Sequence, residues 1–249
     1  MTMAQERVEV QVRGVGARVL LVHGNLMSGP LCWSQQLPLA ERWRLEIVNR
    51  RGYGQSPRTE RQDFAADAED IADLLADGAH LVGHSYGGLG ALLAAAMRPR
   101  SVWSLTVIEP PAFRLAAGNP AADSLARQLL DLQLAGPQDP AAYADAFMRA
   151  VGGGAPLPIP LPRSLAEGAR VLMAGRGPWE ADVPIAALRA AAFPKLAASG
   201  GHHPGLEAIC DALARETGAE RAVIPGAGHN VPRMGAQFND RLEAFLLAA

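Results

Sequence analysis

Cysteine is scarce in this chain, which contains only Cys32 and Cys210 among 249 residues. The two residues lie far apart, and neither has a neighbour at the spacing of metal ligands. A disulfide framework and a structural zinc site are therefore not expected. Two free thiols suit a reducing compartment, and we expect both to be buried structural side chains rather than nucleophiles.

An excess of charge of one sign is also missing. Lys and Arg number 23 against 25 Asp and Glu, which gives a formal net charge of −2, and the arginines are scattered along the chain. Such a charge distribution offers no basic field to a nucleic acid, so no nucleic-acid partner is expected.

Long apolar runs are absent as well. No uninterrupted apolar stretch reaches bilayer-spanning length, and the first ten residues, MTMAQERVEV, lack the charged start and apolar core of a secretory signal. We therefore expect a soluble, cytoplasmic protein without a membrane partner, either a monomer or a homodimer. Hydrophobic residues nonetheless make up 49% of the chain, enough for one sizeable core, and one domain with an inserted lid fits this length better than two domains.

The most informative segment that is present is VGHSYGG at 82–88, in which Ser85 stands between glycines. An apolar run of strand length, 79–82, precedes it, and 89–97 (LGALLAAAM) is rich in helix formers. A serine at so tight a strand-to-helix turn has a strained backbone and an exposed hydroxyl, and the glycines remove side chains that would clash there. The pattern predicts a nucleophile elbow, the alternative being that Ser85 is only a small turn residue.

Two further apolar runs lead into polar loops. The run at 18–22 ends in HGN at 23–25, and the run at 222–225 ends in GAGHN at 226–230. Ser85 and His229 therefore both follow the carboxyl ends of predicted strands, where open α/β sheets bind their ligands. A serine hydroxyl needs a base within hydrogen-bond reach, and we predict that His229 is this base rather than a surface histidine in a glycine-rich loop.

Together these segments resemble the α/β-hydrolase superfamily. HGN at 23–25, RRGYGQS at 50–56, GHSYGG at 83–88 and GAGH at 226–229 occur in the order found in that family and span almost the whole chain. The resemblance implies a serine hydrolase of the α/β class that needs no cofactor. It is weakest over 111–193, where the family itself is most variable.

The alternation of strand and helix patterns indicates the same α/β fold, a mostly parallel sheet with helices on both faces. Strands are predicted at 8–12, 18–22, 45–48, 79–82, 102–108, 195–198 and 222–224. Helices are predicted at 32–41, 64–75, 86–97, 124–134, 141–151, 204–216 and 237–247. Four alternating prolines at 156–162 exclude a helix there. We expect a core domain formed by 1–110 and 194–249, with 111–193 inserted as a helical cap.

The imidazole of His229 needs a carboxylate that fixes its tautomer. In most of the family this acid follows the strand after the cap, but here that strand leads into GGHH at 200–203, and His203 takes the expected place. Glu109 ends the strand before the cap, a position that resembles part of the haloalkane dehalogenase group and keeps the order nucleophile, acid, histidine. We predict Glu109 as the acid, although Glu-Pro-Pro at 109–111 is also compatible with a structural turn. The alternatives are Glu207, Asp211 and Asp182.

His202 and His203 are adjacent and invite a metal hypothesis. A bare histidine pair without carboxylate or cysteine at ligand spacing is more often part of a loop lining. No metal site is therefore expected.

Negative charge that develops on a tetrahedral oxygen needs preorganised donors. By its resemblance to the family, the chain supplies the backbone N–H of Tyr86 and that of Asn25, whose side-chain amide is a further donor. Asn25 is also interpretable as a turn residue. An asparagine after His-Gly resembles the dehalogenase group too, but those enzymes use an aspartate nucleophile, so Ser85 argues against dehalogenation and epoxide hydrolysis.

Large apolar side chains before and within the predicted cap are candidates for an acyl pocket, although each is equally compatible with a place in a core. They are Trp33, Phe113, Phe147, Met148, Met173 and Trp179.

These observations favour a serine hydrolase that cleaves a small or medium apolar carboxylic ester, with thioester and lactone as close variants. The small-molecule ester is its only expected ligand. Two alternatives stay open: C–C bond cleavage or a hydroxynitrile-lyase-like reaction on the same fold, and a non-catalytic ligand receptor.

Overall fold

The computed structural model describes residues 7–59, 61–153 and 156–249. Within these ranges one sheet contains seven strands in the order β1-β3-β2-β4-β5-β6-β7. Only β1 is antiparallel to its neighbour, and every other pair is parallel. The strands are β1 (Val10–Arg13), β2 (Ala17–Val22), β3 (Trp43–Val48), β4 (Ala79–His84), β5 (Val102–Ile108), β6 (Lys195–Ser199) and β7 (Glu220–Val223).

The predicted α/β fold is confirmed, and each predicted strand is present with its ends displaced by at most two residues. The helices are α1 (Gly29–Cys32), α2 (Phe64–Leu74), α3 (Ser85–Met97), α4 (Pro120–Ala135), α5 (Pro140–Ala150), α6 (Arg163–Met173), α7 (Ile185–Ala190), α8 (Pro204–Thr217) and α9 (Ala236–Ala248).

The helix predicted at 32–41 is wrong in detail. The chain forms the short α1 there and then a 3-10 helix, Ser34–Glu41, with Pro38 inside it. Proline lacks the N–H that an α-helix needs and restricts the residue before it, so the regular helix does not form.

Helices α6 and α7 are additional to the sequence prediction. Pro162 precedes α6 and offers no side-chain cap, so the usual start signal is missing. The signal that could have found α6 is the spacing of Leu165, Ala169 and Leu172, which places all three on one face.

The sheet is covered on both faces, as the alternation of side chains along its strands requires. In β2, Leu20 and Val22 pack into one apolar cluster with α2, α3 and α8, whereas Val19 and Leu21 pack into a second cluster with α9. Successive side chains of a strand point to opposite faces, so a strand buried on both sides reads as a continuous apolar run.

Helices α4 to α7 lie between β5 and β6 in the chain. Helix α4 packs against α8 and α5, and α5 packs against α6. Residues 156–162 contain no helix, as the alternating prolines predict. Throughout the described ranges, every helix is too short or too polar to cross a bilayer.

A buried ion pair joins β3, α2 and the loop after β2. The guanidinium of Arg50 donates to the carboxylate of Asp67 at 2.7 Å, and both side chains are almost fully buried. It also donates to the backbone carbonyls of His23 at 2.9 Å and Gly24 at 2.8 Å. The loop at 23–25 is therefore fixed by a cation that has no access to water.

Replacing Asp67 by Asn should lower the free energy of unfolding by about 3 kcal/mol, because it leaves the Arg50 cation buried without its counter-charge. The exposed Asp73 lies on the same helix. Asp73→Asn is thus a matched control that should stay within about 0.5 kcal/mol of the wild type. Urea denaturation of the three proteins measures both values, and equal stabilities for the two variants would contradict the role of the pair.

Candidate active site

Ser85 lies at the junction of β4 and α3 with φ of +51°, a left-handed conformation that is uncommon for a residue with a side chain. The glycines on either side make this turn possible. A Cβ at Gly87 would lie 2.2 Å from the carbonyl oxygen of His23, and one at Gly83 would lie 2.7 Å from the Cβ of Ala91. The predicted elbow is therefore formed by close backbone approach on both sides of the serine.

The loop that follows β7 brings His229 to this serine. The Nε2 atom of His229 lies 2.9 Å from the Oγ of Ser85. The backbone of the same histidine is held twice: its N–H donates to the carbonyl of Gly152 at 3.1 Å, and its carbonyl lies 2.8 Å from the Nε2 of His84. The imidazole therefore faces Ser85 from an anchored loop.

Glu109 follows β5 and completes the row of hydrogen bonds. Its Oε2 lies 2.6 Å from the Nδ1 of His229, and its Oε1 accepts the N–H of Gly200 at 2.7 Å. The carboxylate is fully buried, and its backbone has φ of +45°. Burial raises the pKa of Glu109, but the neighbouring His202 and the hydrogen bonds from His229 and Gly200 outweigh it and lower that pKa well below the usual range. Glu109 is thus an anion at neutral pH.

The alternative acids are engaged elsewhere. The Glu207 carboxylate accepts the hydroxyl of Ser199 at 2.8 Å and pairs with Arg221. Asp211 pairs with the same arginine at 2.8 Å, and Asp182 is exposed in the loop before α7. Of the four candidate carboxylates, Glu109 is the one that contacts His229.

The two histidines after β6 have different environments. His203, which stands where the family acid is expected, caps α8: its Nδ1 accepts the N–H of Gly205 at 3.1 Å. It is His202 that faces the buried carboxylate, with its Nδ1 3.4 Å from the Oε1 of Glu109. Within the described ranges, no group of three or more His, Cys, Asp or Glu side chains is arranged to hold a metal ion.

The two predicted oxyanion donors lie at the start of α3 and in the loop after β2. Tyr86 is in the first turn of α3, where backbone N–H groups have no acceptor within the helix and the helix dipole is positive. The side-chain oxygen of Asn25 accepts from Arg50 at 3.0 Å and from Gln62 at 2.8 Å. Because guanidinium can only donate, these contacts fix the orientation of the Asn25 amide. Its oxygen faces Arg50 and Gln62, and its NH2 group points away from them.

His84 contacts the backbone of the loop that carries His229. Burial lowers its pKa to about 3, so the ring is neutral, and its Nε2 therefore donates to the carbonyl of His229. Its Nδ1 lies 3.9 Å from the Sγ of Cys32, and burial raises the pKa of that thiol to about 12. Neither group is poised to exchange protons near pH 7.

A cavity of about 50 Å³ opens beside Ser85 and His229. Its wall is mostly apolar and comes from the residues between β5 and β6 together with α8. Three of the aromatic candidates line it: Phe113, Phe147 and Trp179.

The remaining candidates lie elsewhere. Trp33 is fully buried with Trp43 and Phe238 in the apolar cluster that packs with α9 on one face of the sheet. Its predicted place in the pocket is therefore corrected to the core. Met173 lines a surface depression near Gln138. Met148 lines a second cavity of about 450 Å³, which also reaches Ser85.

Two residues that fix the site were missed from the sequence, Arg50 and Asp67. The signal was available: Asp67 lies three residues after Phe64 and four before Ile71, on the apolar face of α2. A carboxylate on a core-facing stripe requires a buried partner, and an arginine directly after a buried strand is such a partner.

Comparison with known proteins places these features in a family. A family model described as the alpha/beta hydrolase fold matches residues 17–152. A pimeloyl-[acyl-carrier protein] methyl ester esterase from Aeromonas salmonicida is 38% identical over 109 residues, which is 43% of each chain. An esterase of the same name from Methylococcus capsulatus is 29% identical over 181 residues, 72% of this chain and 68% of that one. The alignment thus covers less than half the length of the Aeromonas relative.

The fold also matches solved structures. An alpha/beta hydrolase from Sphaerobacter thermophilus superimposes with a TM-score of 0.67 at 22% identity, over 96% of this chain and 95% of that one. At such identity the likeness concerns the fold alone. Since the family model covers more than half of its residues, the chain belongs to the α/β-hydrolase fold family.

Proposed function

We propose that this protein is a serine hydrolase that cleaves small or medium apolar carboxylic esters through an acyl-enzyme on Ser85. The observation that supports this most directly is the row of short hydrogen bonds from Ser85 through His229 to Glu109, 2.9 Å and 2.6 Å long. A nucleophile, a base and a buried anion in this order form the arrangement that activates serine in acyl transfer.

In the first half of the reaction, His229 accepts the hydroxyl proton of Ser85 through Nε2 while the Oγ atom attacks the ester carbonyl carbon. The imidazolium that forms is stabilised by the ionised Glu109 at its Nδ1. The same proton then passes to the departing alkoxide, so the C–O bond breaks and a neutral alcohol leaves.

The tetrahedral oxygen of this intermediate carries the negative charge that the site must stabilise. The backbone N–H groups of Tyr86 and Asn25 are proposed to donate to it.

In the second half, water takes the place of the alcohol. His229 removes one proton from it, the hydroxide attacks the acyl carbon, and the Oγ atom of Ser85 leaves with the proton returned by His229. Acid and free enzyme result, and the scheme uses only protein groups and water.

The substrate class follows from the cavity and from the relatives. We propose that the apolar acyl chain occupies the cavity beside Ser85 and His229, because its wall is mostly apolar. The names of the relatives describe methyl ester esterases, which supports an ester as the cleaved group. Thioesters and lactones are close chemical variants.

Incubation with a fluorophosphonate probe should add the mass of one probe less HF to the wild-type protein, because the Oγ of an activated serine displaces the fluoride of such probes whatever the natural substrate is. Ser85→Ala should abolish the addition, whereas Ser164→Ala on the surface of α6 should leave it intact. Intact-mass spectrometry reads all three. Folded wild-type protein without label would overturn the proposed function.

Replacing Glu109 by Gln should lower kcat for a p-nitrophenyl ester by a factor on the order of 10⁴. The His229 imidazolium then loses its counter-ion, and its neutral form is no longer held in the required tautomer. Glu207→Gln is the matched control, since that carboxylate pairs with Arg221 away from His229. Turnover falling for Glu207→Gln and unchanged for Glu109→Gln would move the acid role to α8.

Leu129 lies on α4 and lines the cavity beside Ser85 and His229, whereas Leu134 is on the same helix and exposed. Leu129→Trp should therefore raise KM for octanoate esters at least tenfold relative to acetate, while Leu134→Trp leaves the chain-length profile unchanged. Steady-state kinetics with p-nitrophenyl esters of graded length measure this. An unaltered profile in Leu129→Trp would exclude this cavity as the acyl site.

A further inference from the structure

The carboxylate of Glu109 faces two histidines rather than one. Its Oε2 contacts the Nδ1 of His229 at 2.6 Å, and its Oε1 lies 3.4 Å from the Nδ1 of His202. The second distance is long for a hydrogen bond and typical of an ion pair. When a buried carboxylate has an imidazole on each side, the proton that compensates its charge can reside on either ring.

The other ring nitrogen of His202 settles the tautomer. Its Nε2 lies 2.9 Å from the carbonyl oxygen of Val151, which can only accept, so Nε2 carries a proton. A neutral imidazole has one N–H, and its Nδ1 would then direct a lone pair at the Glu109 anion. The Nδ1 of His202 is buried without a closer polar partner. Only the imidazolium form of His202, which carries a proton on each nitrogen, is compatible with both the Val151 carbonyl at Nε2 and the Glu109 anion at Nδ1.

The ring has little freedom to turn away from this position. A Cβ at Gly152 would lie 2.4 Å from the Cδ2 atom of His202, so the backbone after α5 packs directly on the ring. The N–H of His229 donates to the carbonyl of the same Gly152. The end of α5 therefore holds both histidines in place around one carboxylate.

The charged groups around His202 favour its protonated form. Glu109 faces it from the end of β5 and Glu207 from α8, and together they raise the pKa of His202 against the opposing effect of burial. His203 precedes α8 and His229 follows β7; both are imidazoles near the same carboxylate. Glu207 is itself compensated by Arg221, which leaves Glu109 as the principal partner.

We propose that His202 is a positioning residue: as an imidazolium bound to Glu109, it compensates part of the carboxylate charge and so sets the pH range in which His229 acts as a base. The inference rests on the proposed function for the role of His229. The loop after β6 has no acid at the position expected from the family. In this proposal it instead supplies a cation, His202, that contacts Glu109 after β5.

The expected direction follows from the charges. A Glu109 anion alone stabilises the imidazolium form of His229, which cannot accept the proton of Ser85. A cation on the far oxygen of Glu109 weakens that stabilisation and so favours the neutral, basic form of His229. Removing the charge of His202 should therefore move the acidic limb of activity to higher pH.

The first test reads the ion pair without any substrate. Two-dimensional spectra of histidine ring nitrogens, assigned through single variants of the six histidines, give the titration of His202 directly. Its midpoint should lie above the ordinary value of about 6.5 in the wild type and fall in Glu109→Gln. A midpoint at or below 6.5 in the wild type would overturn the proposal.

The second test uses the rate of fluorophosphonate labelling of Ser85 as a function of pH. His202→Asn places an amide N–H where Nδ1 lies, so it keeps a donor to Glu109 while it removes the charge and the Nε2 contact with Val151. Its acidic limb should shift upward by about one pH unit. The matched control is His203→Asn, which keeps a good cap for α8 and should leave the limb unchanged.

The outcomes separate the two proposals. An identical limb in wild type and His202→Asn, with both proteins folded by circular dichroism, overturns the role of His202 and leaves the hydrolase intact. Equal shifts in His202→Asn and His203→Asn also overturn it, because a general change in loop charge would then explain them. Wild-type protein that does not label overturns the proposed function, and the ring titration then decides the ion pair alone.

Discussion

The burial of one guanidinium constrains the whole candidate site. Arg50 donates to the carbonyls of His23 and Gly24 and to the side chain of Asn25, so it fixes the loop that faces Ser85. The same His23 carbonyl approaches Gly87 so closely that any side chain there would collide with it. A cation in this place has to keep Asp67 as its partner, because an unpaired buried charge costs several kcal/mol. The elbow and its opposing loop are thus held by a single charge network.

Much of this site could be predicted from the sequence, because its chemistry lies at strand ends that a parallel sheet gathers at one edge. Ser85 and His229 each follow an apolar run, and Glu109 ends the strand that pairs with β4. The remainder could not be read in the same way. Which of His202 and His203 faces Glu109 depends on the turn of the chain into α8, and the sequence pattern has no period there. Trp33 is equally apolar in a pocket or a core, so only packing decides its place.

The backbone at the end of α5 contacts the candidate site through hydrogen bonds that no sequence motif indicates. Three successive backbone carbonyls, of Val151, Gly152 and Gly153, accept from His202, His229 and Asn230 respectively. The same helix places Phe147 in the cavity wall. The wall that would touch an acyl chain and the backbone that contacts the imidazoles therefore follow one another directly in the chain.

The neighbouring strands β5 and β6 are parallel, so their carboxyl ends lie side by side, about 4.8 Å apart. A carboxylate that follows either strand can reach the same imidazole, and the order of the three residues along the chain is the same in both cases. Under the proposed function, the acid can therefore stand after either strand while the nucleophile and the histidine stay where they are. A motif search that requires an acid after β6 would miss chains of this kind.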